Sequence, residues 1–470
     1  MMTSEQEVFY AARDRRTRQF EANSARFERS IKIFIGDDVS DSEIGQVFAL
    51  ALVNMLSRVH RRIALVVSPR VRASKHIDTA ESFRVALTEL AKSINPFIEI
   101  SAVETAVPNL EENEITAGVG FMVPADLDCY FGWEGGRAEV STSPSKIGTT
   151  DLDLIGAATA ACLAAATLFR LTDDSFKVVP RRLNLVERTE DDAAGTSSVV
   201  GPVDVGTVHL IGAGAVAHGL LYWLREMGVN GNWEIADGDL AEIHNTNRCM
   251  GMDPSDAGWP GGIQSHKAGA NKAVVAARLI GATAHPHWYD ESPLAAAARP
   301  DLLLPLANGR NVRSTIALRG FPLVVHATTS TNWTAELHRH VAGRDDCLAC
   351  RFPGTTPKFE CSTGPALPGT KVISASDLEE DVTSDDAALP FLSATAGLTL
   401  AIALLQLVPD QPFISDRDNH WVLHLVLGHK VMQTSIRLRS ECKHLPSPDF
   451  RRRIHSSSPT RYDYLDVGTR

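Results

Sequence analysis

Two segments of the chain share one succession of hydrophobic and polar positions. In SIKIFIGDDVSDSEIGQVFALALVNMLSRVHRRIALVVSP, which starts at Ser30, β-branched residues give way to apolar residues at helical spacing and then return. This order predicts a strand, a loop, an amphipathic helix and a second strand. It recurs in VGTVHLIGAGAVAHGLLYWLREMGVNGNWEIADGD, which starts at Val205. Each segment therefore predicts one βαβ unit, and the chain is predicted to be duplicated at the scale of a domain.

Two uncharged runs follow these units, LIGAATAACLAAATLF from Leu154 and ALPFLSATAGLTLAIALLQLV from Ala388. The first is short and rich in alanine, and the second contains proline and hydroxyl side chains. We therefore expect buried helices rather than membrane spans. Between the units, VERTEDDAAGTSSVVGPVDVG has the composition of an exposed linker. The predicted fold is α/β, with two Rossmann-like domains that each contain a mostly parallel sheet flanked by helices.

Composition places the chain among ordinary globular proteins. It has 470 residues, of which 44% are hydrophobic and 22% charged, enough for two or three cores. The formal net charge of -11 argues against general nucleic-acid binding. The N-terminal segment lacks the apolar core of a secretory signal, and the 7 cysteines do not resemble a disulfide framework. We expect a cytoplasmic protein with neither nucleic acid nor membrane as a partner.

The turn between the first strand and the helix differs between the two copies. In the second copy, TVHLI runs into Gly212-Ala-Gly214, a turn that lets backbone amides and a helix N-terminus approach phosphate. Asp237 ends the next strand, the usual position of an acid that holds a ribose hydroxyl. Small residues in such a turn also arise from close packing alone. In the first copy Asp37 and Asp38 would repel phosphate, so we expect a scaffold that no longer binds nucleotide.

A longer pattern follows the turn: DGDLAEIHNTNRCMG, and then GANKAVVAARL. It resembles the ubiquitin-activating-enzyme superfamily, which includes the bacterial ThiF and MoeB adenylyltransferases. In that family the second strand ends in D-x-D, an Asn and an Arg three residues later follow, and G-x-P-K opens a helix. The matching positions are Asp237, Asp239, Asn245, Arg248, Gly269 and Lys272, and Asn271 stands where proline is usual.

The resemblance implies adenylation of a carboxylate with Mg-ATP, a reaction in which cations neutralise the triphosphate and the transition state. Arg248 and Lys272 would supply this charge, and Asp237 would bind ribose. Asn245 would contact phosphate or position Arg248. The family's fourth strand ends with an aspartate that helps to hold Mg²⁺, whereas PLVVHATTSTNWT offers hydroxyl groups. Asp239 or another acid would have to compensate.

The basic run near the N-terminus gains a role from the same resemblance. In the superfamily, a segment before the first strand of the partner domain donates an arginine to the ATP of the active domain. The segment ARDRRTRQFEANSARFERSIKIFIG has a similar layout. Arg15 is the first candidate and Arg18 the second, and an exposed basic helix is the alternative interpretation.

Two cysteines suggest a zinc site. Cys347 and Cys350 form a C-x-x-C pair, which commonly holds half of a tetrahedral Zn²⁺ site. In the family the other half is a second pair near the C-terminal end, where this chain has Cys442 and His444. The resemblance thus implies a structural Cys₃His site, in which His455 or water could replace His444. Reduced thiols without metal are the alternative.

Cys361 is the candidate nucleophile. It lies in FECSTGPALPG, a segment of turn formers that we expect to be exposed. Thioester-forming members of the family place their catalytic cysteine in such a loop, in a context such as P-x-C-T-I-A-x-x-P. Attack of Cys361 on the acyl-adenylate would form a thioester, and service as a third metal ligand is the alternative. The other cysteines are expected to pack in or near hydrophobic cores: Cys129, Cys162 and Cys249.

The implied architecture is a pair of ThiF-type adenylation domains in a pseudo-twofold arrangement. The predicted parts are an inactive domain at 1–190, a linker at 191–204, an active domain at 205–450 with a crossover loop at about 351–388, and a tail at 451–470. The implied function is activation of a ubiquitin-like protein by C-terminal adenylation, followed by thioester formation on Cys361 and transfer to a conjugating-type enzyme. The compact layout suggests a bacterial version, as in the conjugation systems of antiphage defence operons.

Three alternatives stay open. An NAD(P)-dependent oxidoreductase would use the glycine turn and Asp237, but it gives no role to Arg248 or Lys272. A catalytically impaired scaffold that binds a ubiquitin-like protein would account for the missing Mg²⁺ aspartate. Activation of a sulfur carrier shares the adenylation step but usually works as a homodimer of single domains.

Overall fold

A computed structural model gives the fold of the chain. It describes residues 3–15, 28–75, 80–104, 114–189, 203–260, 269–307, 319, 321–330, 333–341, 345–346, 389–407, 419–425, 431–434, 436, 460–462 and 465. The structural features reported below belong to these residues. Within them the strands form two sheets, one in each predicted half of the chain.

The first sheet has the strand order β3-β2-β1-β4-β5-β6-β7. Strands β1 to β5 pair in parallel, and the β5–β6 and β6–β7 pairs are antiparallel. Its strands are β1 Ile31–Ile35, β2 Arg62–Val67, β3 Glu99–Val103, β4 Ile115–Val119, β5 Cys129–Glu134, β6 Arg137–Ser141 and β7 Arg181–Asn184. Its helices are α1 Ser4–Arg13, α2 Asp37–Ser40, α3 Glu43–Ser57, α4 Ala80–Ile94 and α5 Leu154–Leu171, with a 3₁₀ turn at Asp151–Asp153.

The second sheet repeats this order as β10-β9-β8-β11-β12-β13-β14 and adds β15 at its end. Its strands are β8 Asp204–Ile211, β9 Asn230–Ala236, β10 Thr283–His285, β11 Leu302–Pro305, β12 Leu323–Thr329, β13 Thr334–Val341, β14 His420–His424 and β15 Val431–Thr434. Its helices are α6 Ala215–Met227, α7 Lys272–Ala277 and α8 Pro390–Leu405, with 3₁₀ turns at Ile243–Asn245, Tyr289–Glu291 and Pro293–Ala295. The predicted α/β fold, with two mostly parallel sheets flanked by helices, is thus confirmed.

Local sequence explains how each βαβ unit begins. All five residues of β1 are buried, as expected for a central parallel strand covered on both faces. The side chain of Ser42 caps α3 by accepting from Gly45 N. Helix α6 ends at Gly228, whose φ of 69° is a left-handed conformation that glycine adopts without a side-chain clash.

The two uncharged runs form buried helices, as predicted. Leu154–Leu171 is long and apolar enough to cross a membrane, but 83% of it is buried inside the protein. Every residue of α8 is buried as well. These two helices occupy equivalent places in the two units and pack against each other, as a pseudo-twofold arrangement would require.

Glycines allow α6 and α8 to approach closely. A Cβ atom at Gly397 would lie 2.3 Å from the backbone nitrogen of Leu220, and one at Gly219 would lie 2.6 Å from the carbonyl oxygen of Ser393. The indole nitrogen of Trp223 donates to the carbonyl of Ala394 at 3.0 Å. Helix α8 therefore fixes the position of α6, the helix that follows the glycine turn.

The predicted domain boundaries are in part visible. Residues 190–202 of the linker region lie outside the described residues, and β8 begins at Asp204, within the predicted linker. Within the predicted C-terminal tail, the hydroxyl of Tyr462 donates to the carbonyl of Val205 at 2.9 Å. Part of the tail therefore packs against the first strand of the second sheet.

Candidate active site

The glycine turn joins β8 to α6 and contains two glycines with different surroundings. Gly212 has a φ of 93°, and a Cβ atom there would lie 2.5 Å from Ala307 N, so the backbone requires glycine. Gly214 precedes the first residue of α6 with no side-chain cap, and a Cβ atom there would meet nothing within 4 Å. First-turn amides of a helix lack intrahelical acceptors. The turn therefore presents amides at an open space that could hold a phosphate.

Asp237 ties this turn to the end of β9. One carboxylate oxygen accepts from Ala213 N at 2.7 Å, and the other accepts from Asp239 N at 2.8 Å. Burial raises the pKa of this carboxyl group, and the two backbone hydrogen bonds oppose that effect. Each oxygen retains a further lone pair, so the carboxylate could still accept from a ribose hydroxyl.

Lys272 and Asp239 form an ion pair at the start of α7. The Lys272 ammonium lies 2.8 Å from Asp239 Oδ2, with 15% of the lysine side chain exposed against 51% of the aspartate. Asn271 caps α7 by accepting from Ala273 N, and its amide donates to the carbonyls of Asp237 and Asp239 at 2.9 and 3.1 Å. Asn271 thus joins the helix that begins at Lys272 to the loop that contains Asp237 and Asp239.

A tight turn holds Asn245 and Arg248. The Asn245 side chain accepts from Glu242 N at 2.9 Å and so caps the turn, and its contact with phosphate stays a prediction. Arg248 is buried, and its guanidinium donates to the carbonyl of His244 at 2.8 Å. His218 on α6 lies 3.1 Å from the carbonyl of Met250, and burial lowers the pKa of His218 to about 4.

Arg58 connects the first half of the chain to this turn by hydrogen bonds. Its guanidinium, at the end of α3, donates to the carbonyls of Thr246 and Met252, the latter at 3.0 Å, and to the Asn54 side chain. Burial lowers the pKa of Arg58 to about 10. No local sequence pattern indicates this role, because an arginine at a helix end is ordinarily exposed.

Helix α1 also packs against the turn at Ile243–Asn245. Phe9 meets Trp259 with ring centroids 5.0 Å apart. Arg13 is buried with its Nε 2.6 Å from Asp14, whereas Arg15, just after the helix, is exposed. The N-terminal segment therefore lies beside the second unit, and a contact between Arg15 and ATP stays a prediction. Arg18 lies outside the described residues.

Carboxylates occupy the equivalent turn of the first unit. Asp38 accepts from Phe121 N at 2.7 Å and from Val39 N at 3.1 Å. Asp37 accepts from the Ser68 hydroxyl and lies 3.4 Å from the Arg70 guanidinium. Negative charge therefore stands where the second unit offers amides, consistent with the expected difference between the copies.

The fourth strand and one aromatic residue complete the edge of the site. Thr328 and Thr329 end β12 and are half-buried, and the Ser330 hydroxyl lies 2.6 Å from that of Thr334. Trp288, which sequence reasoning missed, packs across Gly238, where a Cβ atom would lie 2.6 Å from the ring. Trp288 is 53% exposed, and Gly238, on which its ring packs, directly follows Asp237. The ring could therefore stack against a base.

Several predicted site residues lie outside the described residues: Cys347, Cys350, Cys361, Cys442 and His444. The zinc site and the nucleophile therefore stay predictions. The other three cysteines are buried, as expected. Burial raises the pKa of the Cys162 thiol to about 12 and also raises the pKa values of Cys129 and Cys249, which makes them poor nucleophiles.

Fold and site define an α/β protein with two Rossmann-like units, one of which has an open phosphate-type turn. Residues 30–185 match the family model described as the BilD N-terminal domain, and they coincide with the first sheet and its connecting segments. The uncharacterized protein y4jF of Sinorhizobium fredii (strain NBRC 101917 / NGR234) is 27% identical over 266 residues, which cover 54% of this chain and 46% of y4jF. The chain thus spans about half the length of this curated relative.

Two solved structures are also similar. E. coli MccB crystallised with succinimide is 13% identical with a TM-score of 0.36, covering 68% of this chain and 98% of MccB. PaaA is 14% identical with a TM-score of 0.32, covering 50% of this chain and 64% of PaaA. These similarities concern the α/β fold and extend no further.

The two glycines of the turn should respond differently to substitution. Gly214→Val should change the free energy of unfolding by no more than about 1 kcal/mol, because the added side chain meets open space. It should weaken ATP binding at least about tenfold, since the side chain would fill the phosphate position. Gly212→Val should instead cost more than about 2 kcal/mol of stability, because of its φ and the Ala307 backbone.

Denaturant unfolding and calorimetric titration with ATP measure both effects. Gly281→Val is the control, because Gly281 has a positive φ like Gly212 but open space around it like Gly214. Unchanged ATP affinity in a folded Gly214→Val chain would remove the glycine turn from the binding site.

Proposed function

We propose that the second unit of the chain uses Mg-ATP to adenylate the C-terminal carboxylate of a peptide or protein. One observation carries this proposal: the open amide turn at Gly214, the Lys272 ammonium and the Asp237 carboxylate belong to one hydrogen-bonded loop system. Such a system offers phosphate, cation and ribose sites together at the carboxyl end of a parallel sheet, where ligands bind in this class of fold.

In the proposed reaction a carboxylate oxygen attacks the α-phosphorus of ATP. A new acyl–oxygen–phosphorus bond forms, the bond to the β-phosphate oxygen breaks, and pyrophosphate leaves with the electron pair. Lys272 and Arg248 would stabilise the negative charge that develops on the phosphate oxygens. Asp239, half exposed beside Lys272, is the described carboxylate best placed to meet a metal ion that accompanies ATP.

The charge pattern favours adenylation over hydride transfer. A nicotinamide dinucleotide would need the turn and Asp237, but it would give no role to a lysine that the Asn271 cap joins to the same loop. Mg²⁺ would supply charge neutralisation at the triphosphate when bound with ATP. The hydroxyls of Thr328 and Thr329 would then be weaker partners for that ion than the usual aspartate.

The proposal extends to the partners. The acceptor would be a ubiquitin-like protein, and Cys361 would attack its acyl-adenylate, releasing AMP and forming a thioester. A conjugating-type enzyme would then take the acyl group onto its own cysteine. Arg15, exposed beside the second unit, would contact the triphosphate, and Cys347, Cys350, Cys442 and His444 would hold a structural Zn²⁺ ion.

Two measurements on the full chain test these steps in turn. Mixing the chain with ATP, labelled pyrophosphate and a ubiquitin-like protein with a free C-terminus should produce ATP–pyrophosphate exchange that depends on the acceptor. A non-reducing gel should show a thiol-sensitive adduct that Cys361→Ala abolishes while exchange continues. Exchange without an adduct would leave adenylation and reject the thioester. ATP binding without exchange for any candidate acceptor would favour the impaired scaffold.

A further inference from the structure

Five ionisable side chains share one face of the second sheet. His326 on β12 lies directly opposite His338 on β13, which in turn lies opposite His420 on β14. His340 and Glu336 stand two residues to either side of His338, and alternate residues of a strand project to the same face. Neighbouring strands thus gather residues that are far apart in the chain into one array, here called the histidine array.

Three of these histidines have the spacing of metal ligands. One ring nitrogen from each of His326, His338 and His340 lies within 4.8 Å of the other two, and all three residues are buried. The His326 Nε2 and His340 Nε2 atoms are 3.3 Å apart. Two nitrogens bound to zinc at about 2.0–2.1 Å in tetrahedral geometry would be separated by about 3.3 Å.

Neighbouring acids orient the rings. The Nδ1 atom of His340 lies 3.2 Å from the carbonyl oxygen of Asp346 and 3.3 Å from its carboxylate. Metal-binding histidines commonly donate their other ring nitrogen to such oxygens, which directs the remaining lone pair toward the ion. Glu336 Oε2 lies 3.5 Å from the Nε2 atoms of both His338 and His420.

Glu336 is the charged partner of this array. The Glu336 carboxylate is half-buried and contacts the rings of both His338 and His420. A carboxylate next to His338 would hold that ring in place. It would also offset part of the charge of a bound cation.

We propose that His326, His338 and His340 bind one divalent transition-metal ion of the zinc class. A set of three histidines, two of them two residues apart on a strand and the third on the neighbouring strand, provides nitrogen ligands and leaves a fourth position for water or another group. The rings of His326 and His338 are within 8° of parallel, with centroids 4.5 Å apart, so binding requires rotation about their side-chain bonds. This site is separate from the cysteine site proposed above and does not depend on adenylation.

Cobalt substitution in the full chain tests the proposal. The starting chain carries Cys347→Ser and Cys350→Ser, which remove two potential thiolate ligands. Metal already bound is removed with a chelator. Added Co²⁺ should bind at one equivalent and give visible absorption typical of nitrogen ligands, without thiolate-to-cobalt charge transfer. In this background His340→Asn should weaken binding at least about 100-fold, and Asp346→Asn about 10–100-fold.

His285→Asn is the matched control, because His285 lies on β10 at the opposite edge of the same sheet and pairs with Glu234. This variant should bind Co²⁺ with unchanged affinity. Near-ultraviolet circular dichroism checks that each variant folds, and the shift in Tm on adding Zn²⁺ to the serine background gives a second readout. No metal uptake and no Tm shift in that folded background would overturn the proposal. Equal uptake by a folded His340→Asn chain would overturn it as well.

Discussion

Replacement of Lys272 by methionine is expected to lower the rate of ATP–pyrophosphate exchange by about 10²–10³-fold, the usual cost of removing one group that stabilises transition-state charge. The ammonium stands at the start of α7, beside Asp239 and close to the loop that holds Asp237. Methionine retains an unbranched side chain of similar length but lacks the ammonium group, with its charge and its hydrogen-bond donors. ATP affinity should fall less than the exchange rate, because part of the stabilisation arises as charge develops during the reaction.

Exchange is measured with the acceptor that supports it, and ATP affinity by calorimetry in the absence of acceptor. Lys92→Met serves as the control, because this exposed lysine lies in the last turn of α4 in the first unit. The variant should exchange at the rate of the unmodified chain. A Lys272→Met chain that folds and exchanges normally would show that the charge acts elsewhere, and the adenylation site would then have to be sought in another part of the molecule.

Replacement of Arg58 by methionine should lower the free energy of unfolding by roughly 2–4 kcal/mol. The buried guanidinium donates to Asn54 and to the carbonyls of Thr246 and Met252, and the variant leaves those two carbonyls without this donor. Because the same turn carries Arg248, ATP affinity should fall as well, by about tenfold. Denaturant unfolding and calorimetry give the two values.

A surface arginine provides the comparison for this variant. Arg62 on β2 is half exposed and pairs with Glu99, so Arg62→Met should change stability by less than about 1 kcal/mol. The contrary outcome is that Arg58→Met matches Arg62→Met in stability and in ATP affinity. In that case the hydrogen bonds from Arg58 to the turn that contains Arg248 would contribute nothing measurable to either quantity.

Short-range patterns predicted the βαβ units because the hydrophobic spacing of a strand or helix involves neighbouring residues. The two similar units were predicted because the same pattern occurs twice. The spacing of apolar residues within β1 and α3, and the glycines before α6, reflect local conformational preferences that can be read from the sequence. The same holds for Asp237, which lies next to the end of β9. These features account for the fold and for one side of the site.

Contacts made across the chain could not be predicted in this way. Arg58 and Met252 are brought together only by the packing of the two units, and no local pattern marks either one. His326, His338 and His420 align only once the register of three antiparallel strands is set. The single local trace of that array is the alternation in His338-Arg-His340, which is also compatible with an ordinary strand.

The close packing of α6 against α8 has a consequence for the order of folding. Helix α6 follows the glycine turn that we propose binds ATP, yet its apolar face is covered by Pro390–Leu405, which is synthesised much later. Contacts between segments this far apart in the chain form slowly, because a long loop must close first. During synthesis the parallel strands of the second unit can pair early, but α6 reaches its final position only after α8 has emerged and docked.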